Sequence, residues 1–420
     1  MCKSDDCVVN MELEVRRIVK CGSCNSQKLD VIANFGQVPL AGYFPFPGEE
    51  DERNLVNLEL LKCVSCSLIQ ASPDVSGESL FLDYRYASRY SMKTHFSEMS
   101  KWIKTSLKIP KTSKFLEIGS NDGTLMNFLR ELNYDIEGVD PSINVTKHAV
   151  ENGHSVEVGF FSPEMVMNKN WQSKFDVVIS TNSFAHISEI GNIAYGISLA
   201  LKEDGIFILE VQSWPELVRT GAFDFVYHEH KYYYDLEALK NLLLPFRILI
   251  EHVELSTIHG GSYRIVFRKL ESNLSEDEFV QFDISAFENS PSKTYITESI
   301  NMFFKNLDSL KQLLIEKKEK GFKIIGFGGS GRANMLVTHM NPSGLIDYIL
   351  DESPERIGRN LGLSRIKIVS FETFKSQTED SYDLVLVLAW NFYSEIKSKW
   401  PHKNKILIQP LPFYLESTSR

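Results

Sequence analysis

No apolar run in this 420-residue sequence approaches the roughly 20 residues that a membrane-spanning helix needs. The opening Met-Cys-Lys-Ser-Asp-Asp-Cys also lacks the apolar stretch of an export signal, so the expected compartment is the cytoplasm. Positive charge is in deficit: 45 Lys and Arg stand against 55 Asp and Glu, a net charge of −10. That balance disfavours nucleic acid or a membrane surface as the main partner and favours a soluble small-molecule substrate. Low-complexity tracts are missing as well. With 43% hydrophobic and 24% charged residues the composition is ordinary globular, which excludes a disordered chain. A mass of 48.0 kDa leaves room for roughly two to four domains.

Cysteine is scarce, with six in the whole chain, and the scarcity makes its placement informative. Cys2 and Cys7 read as unpaired thiols near the terminus. The other four form two C-x-x-C pairs, Cys21/Cys24 and Cys63/Cys66, separated by the segment 25–62. In a reducing compartment such pairs point to a metal rather than to disulfides. Four thiolates close a tetrahedron around Zn²⁺ with no open position, which is the pattern of a structural site. Residues 36–48, rich in Gly and Pro, read as a loop inside this zinc domain.

Beyond a dense aromatic run at 81–90 and a helical stretch through Met99 and Trp102, short apolar segments alternate with amphipathic ones. Strands are expected at 114–118, 135–139, 155–158, 175–180 and 205–211, with helices at 124–132, 143–152 and 189–202. A further strand near 246–253 and another at 263–268 follow. A long helix over 294–320 precedes a second series, with strands at 323–327, 345–350, 382–389 and 405–409. Alternating strand and helix argues parallel sheets covered on both faces. The expected fold class is α/β: two Rossmann-like, doubly wound domains after a small zinc-binding one. The expected bounds are 1–80, 81–270 and 271–420.

Five motifs carry chemistry. Glu117-Ile-Gly119-Ser-Asn121-Asp-Gly123-Thr124 joins a strand to a helix through a glycine turn, where backbone and helix N–H groups meet a ligand. Asp140 follows the next strand, in Gly-Val-Asp140-Pro, and suits an adenosine ribose. The phosphate-binding G-x-G-x-x-G is absent there, and a hydrogen-bonding Glu117 before the glycines fits S-adenosylmethionine better than a nicotinamide. Tyr227-His228-Glu229-His230 lies in a cluster of ionisable groups after the fifth strand, where a His beside a carboxylate is tuned to move protons. His186 follows the fourth strand and reads equally as a capping residue. His259-Gly-Gly-Ser-Tyr-Arg264 offers paired glycines and an arginine for an anion or for a neighbouring carboxylate. Gly326-Phe-Gly328-Gly-Ser330-Gly331-Arg332-Ala-Asn334 does match G-x-G-x-x-G, and Asp351 stands at the spacing where that fingerprint places its acidic residue. The turn fits NAD or the pyrophosphate of a nucleotide sugar.

In this order the motifs resemble the S-adenosylmethionine-dependent C-methyltransferases of nucleotide-linked deoxysugars. The C-x-x-C pairs flanking Gly36–Gly42, then 117–124, 182–187, 227–230, 260–264, 326–334 and Leu388-Ala-Trp390-Asn391 all take part. The resemblance implies zinc on Cys21, Cys24, Cys63 and Cys66, and S-adenosylmethionine on Glu117, Gly119, Asn121, Gly123, Asp140 and Asn182. It implies a 4-keto-6-deoxysugar nucleotide as substrate, deprotonated at C3 by His230 and then methylated there. Glu229 would orient the sugar or the imidazole, while Tyr227, His186 and Tyr86 would hydrogen-bond the enolate or sugar hydroxyls. Tyr84 competes with Tyr86 for that role, and Arg264, Gly328, Ser330, Arg332 and Asn334 would meet the substrate. The turn at 329–332 departs from the family's Ala-rich turn with Lys, leaving nucleotide and sugar open. An O-methyltransferase, or a nicotinamide-dependent sugar-nucleotide oxidoreductase, are the competing enzyme readings. A monomer is the expected state.

Overall fold

Among the described residues three large sheets, beside a two-stranded pair of Val15–Arg16 with Asp74–Val75, and one long helix that touches the region of each large sheet organise the chain. The computed structural model describes residues 14–416 apart from 78–79, 81–87, 89–91, 272, 274–281, 288–289, 375–380, 403 and 413–414. Cys2, Cys7, Tyr84 and Tyr86 lie outside the described residues.

The N-terminal sheet is antiparallel, in the order Tyr232–Tyr233, Ile69–Ser72, Leu55–Cys63, Leu29–Pro39. The last strand runs further than expected, because Val38 pairs with Val56 and is buried; the loop begins only after Pro39. The first strand in that order comes from the His-rich segment of the middle region. Tyr232 pairs with Gln70 and Tyr233 with Ile69, so this sheet is completed by residues far along the chain. Each C-x-x-C pair forms a tight turn closed on the first cysteine's carbonyl. Asn25 N–H donates to Cys21 O and Ser67 N–H to Cys63 O, each at 3.0 Å, with Asn25 and Ser67 at positive φ.

The middle sheet has seven strands. Five are parallel, ordered Ser155–Val158, Asp135–Asp140, Lys114–Ile118, Phe175–Thr181, Leu201–Gln212. An antiparallel pair extends it, with Ser262–Lys269 against Leu201–Gln212 and Ile248–Ser256 outermost. These are the apolar runs legible in the sequence, and their hydrophobic side chains form most of the core here. The order reverses between Lys114–Ile118 and Phe175–Thr181, which opens a crevice at the strands' carboxyl ends.

The C-terminal sheet repeats the scheme, with parallel strands ordered Ile366–Ser370, Ile349–Asp351, Ile324–Phe327, Leu384–Val387, Ile406–Gln409. Ile366–Ser370 was not expected, and the strand expected at 345–350 is only Ile349–Asp351. Asn341 takes a left-handed cap, and Leu345 N–H bonds back to Pro342 O, so the chain turns before extending. The crevice here lies between Ile324–Phe327 and Leu384–Val387. The helix Lys293–Glu319, capped by Ser292, buries Ile296, Phe303, Leu307, Leu310 and Leu314 on one face. It packs on the helices Trp214–Thr220 and Gly331–Met340 and on Leu29–Pro39, so one apolar core joins all three regions. Among the described residues no helix is long and apolar enough to cross a membrane.

Candidate active site

Both crevices open into one cavity of about 530 Å³, and the N-terminal loop at Ala41–Phe44 supplies part of its wall. At the middle-sheet end, Lys114–Ile118 runs into Gly119 and the helix Thr124–Glu131. Gly119 is at φ 79°, and a Cβ there would sit 2.3 Å from the Ser183 Cβ, so only glycine leaves this cradle open. Asp140 clamps the floor: its Oδ2 accepts from Asn121 N–H at 3.0 Å and its Oδ1 from Ser142 N–H at 2.9 Å. Gly119, Asn121, Asp140 and Asn182 line the cavity, whereas Glu117 and Gly123 stand behind that lining. Glu117 is 2% exposed, and its Oε2 has no hydrogen-bond partner among the described residues. Burial, with Asp122 and Asp140 nearby, pushes its carboxyl well above the usual range. A glycine cradle lined by the Asp140 carboxyl, with a second buried carboxyl behind it, fits a ligand that brings donors and positive charge, as the amino-acid and sulfonium parts of S-adenosylmethionine do.

The His-rich segment forms the cavity's centre. A carbonyl oxygen can only accept, so His230 Nδ1, 2.8 Å from Phe225 O, carries the ring proton. Its Nε2 is then the acceptor, and the Tyr227 hydroxyl donates to it at 2.8 Å. The imidazole stacks against the rings of Phe225 and Tyr227, at 4.5 and 4.0 Å. Burial first, then the neighbouring His186, His259 and Arg332, hold His230 well below the usual histidine range. His186 does not cap a helix; it ends the short 3-10 turn Phe184–His186, donates from Nδ1 to Glu229 O and lies 4.7 Å from the His230 ring. The Glu229 carboxylate accepts from the N–H groups of Gly42 (2.6 Å) and Ala41 (3.3 Å), while burial raises its pKa. His228 points the other way, onto Asn57 O. Lys231 is buried and donates to Asp74, Val75 O and Ser188, tying the segment's far end to the N-terminal region.

At the C-terminal end, Gly328, Ser330 and Arg332 line the cavity. Gly328 is at φ 91°, and Ser330 caps the helix Gly331–Met340. Arg332 is bound twice to Asp224, at 3.0 and 3.2 Å, and lies over Phe225 and Trp390 at 4.5 and 4.7 Å. Two expected substrate residues stand elsewhere. Asn334 is outside the lining and donates to Leu40 O and Ala41 O, holding the loop that caps Glu229. Arg264 is also outside it, paired with Glu210 at 3.0 Å and Glu254 at 2.9 Å. Of the two readings its motif left open, the neighbouring carboxylate is the one seen.

Sequence reasoning passed over Gln212, Asp224 and Glu210, and gave His259 no role. The signal was available: Glu210-Val-Gln212 ends a buried strand with polar groups at the edge where ligands bind. Away from the cavity, the four cysteine Sγ atoms lie within 4.8 Å of one another, with pairs at 3.5 and 3.6 Å. A tetrahedral zinc with Zn–S bonds of about 2.3 Å requires S···S separations of about 3.8 Å, so the donor set suits that ion.

Residues 89–245 match the model of a methyltransferase domain, and residues 257–412 match that of the C-methyltransferase C-terminal domain. The chain is an S-adenosylmethionine-dependent methyltransferase. It is 27% identical over 397 residues to the C-methyltransferase NovU of Streptomyces niveus, covering 91% of this chain and 92% of that one. A shorter match, 32% identical over 111 residues, links it to the ubiquinone biosynthesis O-methyltransferase of Pelagibacter ubique; it covers 26% of this methyltransferase and 45% of that relative. Among solved structures, a SAM dependent methyltransferase from Archaeoglobus fulgidus aligns with a TM-score of 0.35 and 13% identity, over 43% of this chain and 98% of that one.

Proposed function

We propose that this methyltransferase places a methyl group on a carbon beside a ketone, C3 of a nucleotide-linked 4-keto-6-deoxysugar. The observation that supports this most is the Tyr227–His230 pair, a neutral imidazole fixed between a methyl-donor cradle and the Gly328–Arg332 turn. A carbon nucleophile requires loss of an acidic C–H proton, and a neutral buried histidine is suited to take it. The C–H electron pair becomes the C=C of an enolate, the carbonyl pair moves onto oxygen, and the proton ends on His230 Nε2, whose lone pair Tyr227 frees by turning its hydroxyl away. S-adenosylmethionine, when bound, supplies the methyl group to that carbon. Gly119, Asn121, Asp140 and Asn182 would hold it, with Glu117 and Gly123 shaping the turn from behind.

Glu229 and His186 orient the sugar, while Gly328, Ser330 and Arg332 meet the nucleotide end. Zinc on Cys21, Cys24, Cys63 and Cys66 plays a structural part, since four thiolates leave no open position for chemistry. The three regions 1–80, 81–270 and 271–420 divide these duties as zinc domain, methyl-donor domain and nucleotide-sugar domain.

The test is incubation with S-adenosylmethionine and a panel of nucleoside-diphosphate 4-keto-6-deoxysugars, followed by mass and NMR analysis. A gain of one methyl on carbon is expected. Methylation on oxygen, or turnover that needs a nicotinamide and ignores S-adenosylmethionine, would refute the reading.

A further inference from the structure

Two polar side chains on the cavity wall have no hydrogen-bond partner among the described residues and no assigned task. His259 sits in the hairpin between Ile248–Ser256 and Ser262–Lys269 and borders the cavity. Its backbone is left-handed, at φ 56° and ψ 18°, a conformation that side-chain-bearing residues adopt at a cost and that clusters at functional sites. Its ring lies 5.7 Å from Phe225. Gly260 next to it packs so tightly on Trp390 that a Cβ would come within 2.9 Å of that ring, which fixes the hairpin against the C-terminal region.

Gln212, at the end of Leu201–Gln212, borders the same cavity and is 7% exposed. Its amide nitrogen and oxygen both lack partners among the described residues. The two are laced together, since Gln212 pairs with Ser262 and Ser213 N–H donates to Gly261 O at 3.2 Å.

We propose that His259, with Gln212 beside it, contacts the acceptor's carbonyl oxygen and donates an N–H to it as negative charge develops there. This rests on the enolisation reading above. Burial and the charge of Arg332 push the His259 imidazole down to about 3, so at neutral pH it is uncharged and one nitrogen keeps its hydrogen. A fixed neutral donor aimed at a developing oxyanion needs no reorganisation during the step. Proton and electrons balance as already described: the proton moves to His230, the pair to oxygen, and His259 gives a hydrogen bond without losing its own proton.

The experiment follows exchange of the acceptor's C3 hydrogen with deuterated water, using a thymidine-diphosphate 4-keto-6-deoxysugar. His259→Gly removes the ring while suiting the left-handed backbone, His259→Asn restores an N–H donor there, and Gln212→Leu removes the amide without touching the hairpin. Exchange by His259→Gly should fall roughly a hundred- to a thousandfold. His259→Asn should recover at least part of it, and Gln212→Leu should also be slowed, with S-adenosylmethionine affinity unchanged in all three by calorimetry. Wild-type exchange rates in His259→Gly would overturn the assignment, as would loss of S-adenosylmethionine affinity in both His259→Gly and Gln212→Leu. If the wild-type protein exchanged nothing from any keto-sugar nucleotide, the enolisation reading itself would fall, and this inference with it.

Discussion

The Glu229 carboxylate is held by the backbone N–H of Gly42, 2.6 Å away and 187 residues earlier in the chain. The region that carries the cysteines therefore reaches into the cavity between the two crevices, through the loop that Asn334 holds from the other side. Glu229→Ala leaves the N–H of buried Ala41 without its acceptor, while that of exposed Gly42 can turn to water. One buried group left unsatisfied costs about 1–3 kcal/mol, so urea unfolding should show a loss in that range together with reduced turnover. Unchanged stability would mean that the loop has other acceptors.

Metal content is checked by elemental analysis. The wild-type chain should carry one zinc, and Cys63→Ser/Cys66→Ser should carry none. Its thermal transition should fall or broaden, because metal binding and folding are coupled in such small sites. Full retention of zinc in that variant would place the ion elsewhere.

Asp140 clamps Asn121 and Ser142, and the proposed reading adds a hydrogen bond to the ribose of the methyl donor. A charge-assisted hydrogen bond contributes about 1.5–3 kcal/mol, so Asp140→Ala should weaken S-adenosylmethionine roughly ten- to a hundredfold by calorimetry. Equal affinity in wild type and variant would exclude Asp140 from the cofactor site.

The pH profile follows from His230. A base must be neutral to take a proton, and this imidazole is held well below the ordinary histidine range, by burial first and by the charges of its neighbours second. Activity should therefore stay level as pH falls through 6.5, the ordinary value, and decline only at more acidic pH. An acid limb centred at or above 6.5 would argue against His230 as the base. His230→Ala should abolish methyl transfer and C3 exchange while S-adenosylmethionine still binds.

The strands of the middle sheet were legible as short runs between turn signals; Lys114–Ile118 near its centre and Ser155–Val158 at its edge match residue for residue. Ile366–Ser370 escaped because Lys367 interrupts its apolar run and so short a segment gives little periodicity. Tyr232–Tyr233 could not be read as a strand at all, since a pair of tyrosines carries no pattern and its partner, Ile69–Ser72, belongs to the other end of the sequence. The site divides in the same way. Local motifs such as Tyr227–His230 announce themselves, but the turning of Arg264 onto Glu210, and the convergence of Gln212, His259 and the Gly42 loop, depend on long-range packing.

That borrowed strand also constrains how the chain is made. Synthesis proceeds from the N-terminus, so residues Leu29–Ser72 emerge well before the segment that completes their sheet. Until Tyr233 has left the ribosome, Ile69–Ser72 presents a bare edge of N–H and C=O groups to whatever passes. The nascent N-terminal region is thus exposed to mispairing for as long as it takes to translate everything between Ser72 and Tyr232, and a fragment ending before Tyr232 would keep that edge permanently.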